Sequence, residues 1–275
     1  MRRTVPAIVL AMVLLIGGAC GRGGQSSVEL LSAAPDRTLE AGSSRLALTI
    51  TTKATQEAQG LNFGGEGLFD YRKKIGQLTF DLGSLGLPGA SGKAEMLLLG
   101  STMYMKFPGA EATLKKKPWV KFDLNALAEE EGALSEGLSS FGQGSDPSSM
   151  LQALRGVSGP VKKVGEEKVR DAQTTHYRTT VDLKKAGGEV PAAQKAEYDR
   201  FVQQSGVARV PTDIWVDGKG RARRLTMEFD LSKAAGALEG GPGRSILEIE
   251  LFDFGVAVAL QEPPARQVTN FDDIK

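Results

Sequence analysis

Apolar and polar residues alternate along much of the chain, which is the pattern of strands that bury one face of a sheet. The alternation is clearest in residues 46–51 (LALTIT) and 77–82 (QLTFDL), and we expect a strand at each. The same pattern predicts further strands at Glu95–Leu99, Thr102–Phe107, Trp119–Leu124, Val161–Glu167, Gln173–Leu183, Asp213–Val216, Ala222–Leu231 and Ile246–Phe254, and a weaker one at Val256–Leu260.

Short turns that contain glycine separate several of these segments. Gly100-Ser101 lies between two predicted strands, and Asp217-Gly218-Lys219-Gly220 lies between two others. Glycine adopts the positive φ that tight turns need, so both sequences are typical of β-hairpins. Because strands joined by hairpins are antiparallel, we expect an antiparallel and strongly twisted sheet.

Helical patterns are few and fall in the connections between strands. The expected helices are one capped by Asn125 with Leu127, Leu134 and Leu138 as apolar positions, one opened by Ser145-Asp146-Pro147 with Met150, Leu151 and Leu154 on one face, one over Pro191–Ser205, and a short one over Val28–Ala33. Many antiparallel strands with a few amphipathic helices are typical of the α+β class, here a curved sheet with helices laid against one face.

The first twenty residues have the features of an export signal. Arg2 and Arg3 precede an apolar run at residues 7–16, which is shorter than the roughly 20 residues of a membrane-spanning helix. The run leads to Gly17-Gly18-Ala19-Cys20, which is similar to a bacterial lipobox although Gly17 replaces the usual leucine. We therefore expect a lipoprotein signal peptide at residues 1–19, a diacylglyceryl anchor on Cys20, and a protein held on the extracytoplasmic face of the cell membrane. A plain secretory signal or an uncleaved anchor is the alternative.

Composition limits the classes of partner and the sources of stability. The formal charge of +1 becomes −1 once Arg2 and Arg3 leave with the signal peptide, and nothing in that balance indicates nucleic-acid binding. Cys20 is the only cysteine, so once acylated it leaves no thiol for a disulfide or a metal site. Residues 20–35, rich in Gly and Ser, are expected to form a flexible tether after the acylated cysteine. No break in composition divides residues 36–275, which we assign to one domain.

Motifs of known catalytic sites are not evident. The single histidine, His176, lies in a predicted strand among threonines, where a structural role is more common than a catalytic one. The sequence contains neither G-x-S-x-G nor H-E-x-x-H, and no glycine-rich phosphate loop joins a strand to a helix. We expect a protein that is not an enzyme and that holds no cofactor or metal.

Three segments, taken in order, resemble a family of envelope lipoproteins. They are SDPSSMLQALRGVSGPVKKVGEEKVRDAQTTHYRTTVDL, VPTDIWVDGKGRARRLTMEFDL and FDFGVAVALQEPPARQVTNFDDI. With the lipobox upstream, residues 28–275 are similar to the LppX/LprA/LprF/LprG lipoproteins, which are related in fold to the carrier LolA. The resemblance implies an α+β fold with a curved antiparallel half-barrel sheet and a few helices covering its concave face. It also implies that the protein binds or shuttles acylated lipids.

In such a half-barrel, apolar side chains of the concave face and of the covering helices form the site for acyl chains. Burial there is favourable by about 25 cal/mol for each Å² removed from water, and the unbranched methionines adapt to a flexible ligand. The candidate lipid-binding residues are Leu46, Leu48, Phe69, Leu78, Phe80, Met96, Leu98, Met103, Met105, Leu127, Leu134, Leu138, Phe141, Met150 and Leu154. Ordinary core packing is the alternative for each of them.

Three polar segments each have two interpretations. The loop from Ala128 to Ser149, with its acidic run and glycines, is either a lid over the mouth of the pocket or a surface connection without a gating role. Lys115-Lys116-Lys117, and the arginines at 221, 223 and 224, either contact anionic headgroups at a membrane or form solvated sheet edges where charge discourages aggregation.

Two classes of function remain open from the sequence. In the first, the anchored lipoprotein binds, or also transfers, acylated lipids or lipoglycans in an apolar cavity, with a protein partner for loading or unloading. In the second, it is a non-catalytic envelope sensor or scaffold whose half-barrel mouth binds a protein partner. A large continuous cavity would favour the first class, and an interior filled by Phe and Leu would favour the second.

Overall fold

Twelve strands form a single open sheet in the computed structural model, which describes residues 26–53, 62–85, 91–109, 117–129, 147–188, 190, 195, 198–199, 202–203, 206–230 and 243–274. The strands are β1 (Ser43–Thr52), β2 (Asn62–Asp70), β3 (Ile75–Asp81), β4 (Lys93–Leu99), β5 (Thr102–Lys106), β6 (Trp119–Asp123), β7 (Val157–Val169), β8 (Ala172–Asp182), β9 (Arg209–Asp217), β10 (Ala222–Asp230), β11 (Arg244–Phe252) and β12 (Val268–Asn270). They lie in the order β12-β6-β5-β4-β3-β2-β1-β11-β10-β9-β8-β7, antiparallel except for the parallel pair β12 and β6. The sheet is open because β12 and β7 lie at its two edges. The predicted fold class is therefore confirmed.

The inner face of the sheet carries the main apolar core. One row of inward residues crosses seven neighbouring strands and consists of Leu251, Leu46, Gly67, Leu78, Met96, Met105 and Val120. The six side chains of this row are all buried, and they belong to one cluster that also takes in the covering helices. The period-two alternation therefore identifies the buried face correctly, because successive side chains of a strand point to opposite faces.

The helices with described bounds are α1 (Ser27–Leu39), α2 (Leu124–Glu129), α3 (Pro147–Gln152) and α4 (Leu183–Gly187). A capping box begins α1: the Ser26 side chain accepts from the Glu29 backbone, and the Glu29 carboxylate accepts from the Ser26 backbone. Leu31 is fully buried in the core, and the Thr38 hydroxyl accepts from the backbone N–H of Ala222 in β10 at 2.9 Å. Residues 27–35 therefore belong to the folded part. A flexible tether that extends to residue 35 is wrong, because the apolar face of α1 packs on the sheet.

Two of the other helices differ from the sequence-based expectation, one in its capping residue and the other in its presence. The carboxylate of Asp123, rather than Asn125, caps α2, accepting from the backbone N–H groups of Asn125 and Ala126. Helix α4 was not predicted; Asp182 caps it, accepting from the Lys185 backbone. No helix among the described residues is long and apolar enough to cross a membrane.

Strand β2 is absent from the sequence-based prediction. Its sequence, NFGGEGLFD, contains three glycines, which have low strand propensity. It nevertheless pairs with β1 and β3 along its length, and on the inner face Gly65 lies opposite Phe80 and Gly67 lies opposite Leu78. Each glycine thus leaves room for a large side chain on the neighbouring strand.

The C-terminal segment crosses the outer face of the sheet, and the strand expected at Val256–Leu260 does not form. Leu260 and Val268 pack against an outer cluster of Leu97, Tyr104 and Trp119. The chain then adds β12 beside β6 and places the Phe271 ring 5.0 Å from that of Phe122. The C-terminal segment therefore covers β6 and supplies the edge strand beside it.

Candidate functional site

The described candidate lipid-binding residues all lie in or against one core. Met150 is half buried and packs against this core. The others are buried, with at most 8% of their surface exposed: Leu46, Leu48, Phe69, Leu78, Phe80, Met96, Leu98, Met103, Met105, Leu127 and Leu154. These side chains pack against one another in this structure, so displacement of any of them by an acyl chain stays a prediction.

Several predicted features fall outside the described residues. They are the signal peptide and Cys20, the candidate residues Leu134, Leu138 and Phe141, Lys115 and Lys116, and residues 130–146 of the loop expected to act as a lid.

Four apolar side chains at one end of the inner face are only half buried. They are Ile50, Phe63, Phe229 and Leu247, which we call the apolar rim. In the register of the sheet, Ile50 lies between Leu247 of β11 and Phe63 of β2. The Phe63 ring also stacks on Phe80 of the core at 4.8 Å between ring centroids. The apolar rim is therefore a continuation of the core surface that remains partly accessible.

The row that contains three of these rim residues ends in a hydroxyl group without a partner. Its successive register partners, from β8 to β2, are Thr179, Thr212, Met227, Leu247, Ile50 and Phe63. Thr212 donates to the backbone oxygen of Val210 at 2.9 Å, whereas the buried Thr179 hydroxyl has no hydrogen-bond partner in the described part of the chain. An unmade hydrogen bond of this kind costs about 1 to 3 kcal/mol. At a strand spacing of about 4.8 Å, this row is about 24 Å long.

Sequence reasoning did not select the apolar rim or Thr179. Ile50 belongs to the same alternating strand as Leu46 and Leu48, and only its position one step closer to the strand end separates it from them. Periodicity indicates the face on which a residue lies but not how far along that face the covering helices extend. Phe63 lies in the unpredicted strand β2.

His176 is held in place on the outer face. Its ring stacks on Trp215 with 4.1 Å between centroids. Its Nε2 lies 2.6 Å from Asp213 Oδ1, and its Nδ1 lies 3.2 Å from Glu167 Oε1. These contacts engage both nitrogens, as in the structural role expected for this residue. Among the described residues, no group of three or more His, Cys, Asp or Glu side chains is arranged to hold a metal ion.

The arginines after the Asp217 turn form ion pairs inside the sheet. Arg221 and Arg223 donate to Asp217 Oδ2 at 2.8 and 2.9 Å, and both lie over the Phe254 ring. Burial alone would raise the pKa of Asp217, but the hydrogen bonds from Arg221 and Arg223 outweigh it and hold this pKa below its ordinary value. A solvated sheet edge is the wrong interpretation for these arginines, because β9 and β10 have neighbours on both sides.

A second ion-pair group lies on the outer face, beside these arginines. Glu250 of β11 accepts from Arg224 at 2.9 Å and from Arg170 at 2.7 Å. Burial favours a raised pKa for Glu250, but the hydrogen bonds from the two arginines lower it below its ordinary value. The Arg170 guanidinium also lies 3.8 Å from the centre of the Phe252 ring. This part of the outer face, over β8 to β11, is therefore a layer of paired charges over aromatic rings, in contrast to the apolar inner face.

Comparison with known sequences gives one partial match. No family model matches the chain. An uncharacterised 31.2 kDa protein of Streptomyces griseus, encoded in the rplA-rplJ intergenic region, is 30% identical over 161 residues. This match covers 58% of the chain but only half of the length of that relative.

Comparison with solved structures gives matches over most of the chain. The Mycobacterium tuberculosis lipoprotein LppX is 13% identical, with 84% of this chain and 98% of that chain covered and a TM-score of 0.46. LprF of Mycobacterium bovis is 15% identical, with 86% and 96% covered and a TM-score of 0.44. A LolA superfamily protein of Nitrosomonas europaea is 11% identical, with 86% and 94% covered and a TM-score of 0.29.

Proposed function

We propose that this protein is an exported, membrane-anchored lipoprotein that binds an acylated lipid against the inner face of its open sheet. The observation that carries the proposal is the apolar rim, a half-buried surface of four apolar side chains, of which Phe63, Phe229 and Leu247 pack against the core. The arginine pair, apolar run and small-small-Cys ending at residues 1–20 support export and acylation of Cys20.

The apolar rim suits an acyl chain because it offers apolar area without directional polar groups. Burial of an acyl chain there gains about 25 cal/mol for each Å² that the chain and the rim remove from water. Core residues next to the rim, such as Phe80 beneath Phe63, provide a rigid apolar floor. A chain that reached further inward would have to displace packed core side chains.

The Thr179 hydroxyl supports an amphiphile rather than a plain hydrocarbon. It lies in the same row as Leu247, Ile50 and Phe63 but beyond the buried Thr212 and Met227, so a ligand that displaced the side chains covering this row would meet apolar groups at one end and a hydroxyl donor at the other. The carbonyl oxygen of an acyl ester accepts one hydrogen bond from such a donor. We therefore propose an ester-linked acyl lipid as the ligand class.

The test is a binding titration with a fluorescent diacylglycerol, using the chain with Cys20→Ser so that no covalent lipid is attached. Ile50→Arg puts a charge on the rim, and Thr51→Arg puts the same side chain on the opposite face of the same strand. We expect Ile50→Arg to weaken binding about tenfold or more, because the charge must be desolvated, while Thr51→Arg stays within about twofold. Thermal melting of both variants checks that they fold.

Two results would count against lipid binding at this surface. The first is a wild-type chain that is folded and does not bind the probe. The second is equal binding by the folded Ile50→Arg and Thr51→Arg variants.

The second candidate function is a scaffold that binds a protein partner. The buried core favours it, because Phe69, Leu78, Met96 and Met103 are at most 1% exposed and belong to one packed cluster. A folded chain that carries no lipid and binds no diacylglycerol would support this function over lipid binding.

A further inference from the structure

A groove of about 750 Å³ lies on the outer face, on the other side of the sheet from the apolar rim. Its wall on β1 is formed by Arg45, Ala47 and Thr49, which alternate with the inward Leu46 and Leu48. Its volume is within the range of about 300 to 1,000 Å³ that small-molecule sites occupy. The groove does not depend on the proposed lipid site.

The floor of the groove is backbone of the glycine-rich strand β2. Gly65 and Gly67 are required by packing, since added Cβ atoms would lie 2.6 Å from the Phe80 ring and 1.9 Å from the Gln77 backbone oxygen. Gly64 is different. A Cβ there would lie 3.5 Å from its nearest atom, the Leu48 backbone oxygen, which is an ordinary van der Waals distance. Packing does not require glycine at 64, and its effect is to keep the groove open. Glycine at such a place marks close approach of a ligand to the backbone.

The charges that line the groove are paired, which is unsuited to a strongly anionic ligand. Arg170 pairs with Glu66 at 3.5 Å as well as with Glu250, and Arg45 pairs with Asp253 at 3.5 Å. Lys93 lies directly opposite Asp81 in the register of β4 and β3. Each cation therefore has an acidic neighbour.

The remaining lining is mixed in polarity. Gln77, Thr49 and Thr79 supply amide and hydroxyl groups that both donate and accept, and Leu68 and Phe252 supply apolar surface. A sugar has the matching chemistry, because its hydroxyls donate and accept and its C–H face packs on apolar groups. We propose that this groove is a second binding site, for a neutral oligosaccharide.

The experiment has two arms. The first measures binding of soluble trisaccharides (maltotriose, mannotriose and cellotriose) to the protein by ligand-observed NMR. The second measures binding of the protein to vesicles with and without digalactosyl diacylglycerol. The protein is the chain with Cys20→Ser. Gly64→Leu fills the groove, and Gly165→Leu is the matched control on edge strand β7, where a Cβ meets nothing within 4 Å. Gln77→Ala removes an amide from the groove, and Gln173→Ala removes an exposed amide from β8.

We expect the wild-type chain to bind sugar in at least one arm. Gly64→Leu should weaken this binding about tenfold or more, and Gln77→Ala about threefold or more. The controls Gly165→Leu and Gln173→Ala should stay within about twofold of the wild-type affinity. Binding of a trisaccharide identifies a free glycan as the source, and binding only to the galactolipid vesicles identifies a glycolipid headgroup. The vesicle arm is repeated with Ile50→Arg, which blocks the apolar rim and should leave groove binding unchanged. Absence of sugar binding in both arms, or equal binding by Gly64→Leu and Gly165→Leu, would overturn the proposal whatever the outcome for the lipid site.

Discussion

Phe80 of β3 lies directly against Gly65 of β2, so closely that a Cβ at residue 65 would sit 2.6 Å from the Phe80 ring. Two inward pairs further along the same two strands the arrangement recurs with the roles exchanged, since the Phe69 ring lies 2.3 Å from the place of a Cβ on Gly76. A large side chain opposite a glycine lets the ring cover the backbone of the next strand. These glycines therefore determine how the core is packed beneath the apolar rim.

The closest approach in this region predicts a difference between two glycines of β2. A Cβ at residue 67 would lie 1.9 Å from the backbone oxygen of Gln77, so Gly67→Ala must move the backbone of β3. We expect a loss of about 2 to 4 kcal/mol in the free energy of unfolding, measured by urea denaturation. Gly64→Ala, three residues away with only ordinary contacts, should change it by less than about 0.5 kcal/mol. Similar losses of unfolding free energy in the two variants would contradict the close packing of β2 on β3 at Gly67.

Two neighbouring threonines on the inner face should respond in opposite ways to loss of the hydroxyl. Thr179→Val removes a buried hydroxyl without a partner, so the free energy of unfolding should stay equal or rise by up to about 1 kcal/mol. Thr212→Val removes a hydroxyl that donates to Val210 and should lower it by about 1 kcal/mol. Both are measured without lipid. A clear loss of stability in Thr179→Val would show that its hydroxyl is already satisfied and is not available to a ligand.

The buried Asp217 should make stability depend on acid. Its pKa is lowered in the folded protein, so folding favours the deprotonated carboxylate. The resulting stabilisation is fully present above the ordinary carboxyl pKa of about 3.9. It is lost as the pH falls through the lowered pKa of the folded state. Asp217→Asn should cost about 2 to 3 kcal/mol at pH 7, because Arg221 and Arg223 lose their counter-charge. Below about pH 4 the variant should lose stability less steeply than the wild type. Asp171→Asn, in the exposed turn after β7, is the control; parallel pH profiles for wild type and Asp217→Asn would refute this assignment.

The C-terminal segment should contribute to stability through its aromatic contact. Phe271→Ala removes the ring that lies 5.0 Å from Phe122, and we expect a loss of about 1 to 2 kcal/mol in the free energy of unfolding. Ile274→Ala, at a side chain that is 43% exposed, should have little effect. Equal effects of the two substitutions would mean that the end of the chain is not held against β6.

The sequence was sufficient to predict the strands that alternate regularly and the face they bury, because the period of two is a local property. It missed β2, where glycines lower strand propensity and only the neighbours β1 and β3 explain why a strand forms. It also missed β12, a short parallel partner for β6 that depends on a long return of the chain.

For the candidate site, the sequence identified the inner face but not which residues on it are accessible. Leu46 and Ile50 have the same pattern, yet Leu46 is 1% exposed and Ile50 is only partly buried, since the difference depends on tertiary covering. The pairing of Asp217 with two arginines was likewise beyond sequence reasoning, because it depends on the bulge between Ala222 and Arg224.

The most direct test of the central claim is native mass spectrometry of the purified chain with Cys20→Ser, with organic extraction of any bound molecule. We expect one ester-linked acyl lipid per chain, lost in Ile50→Arg and retained in Thr51→Arg. A folded protein without lipid, or a lipid retained equally by both variants, would contradict binding at the apolar rim.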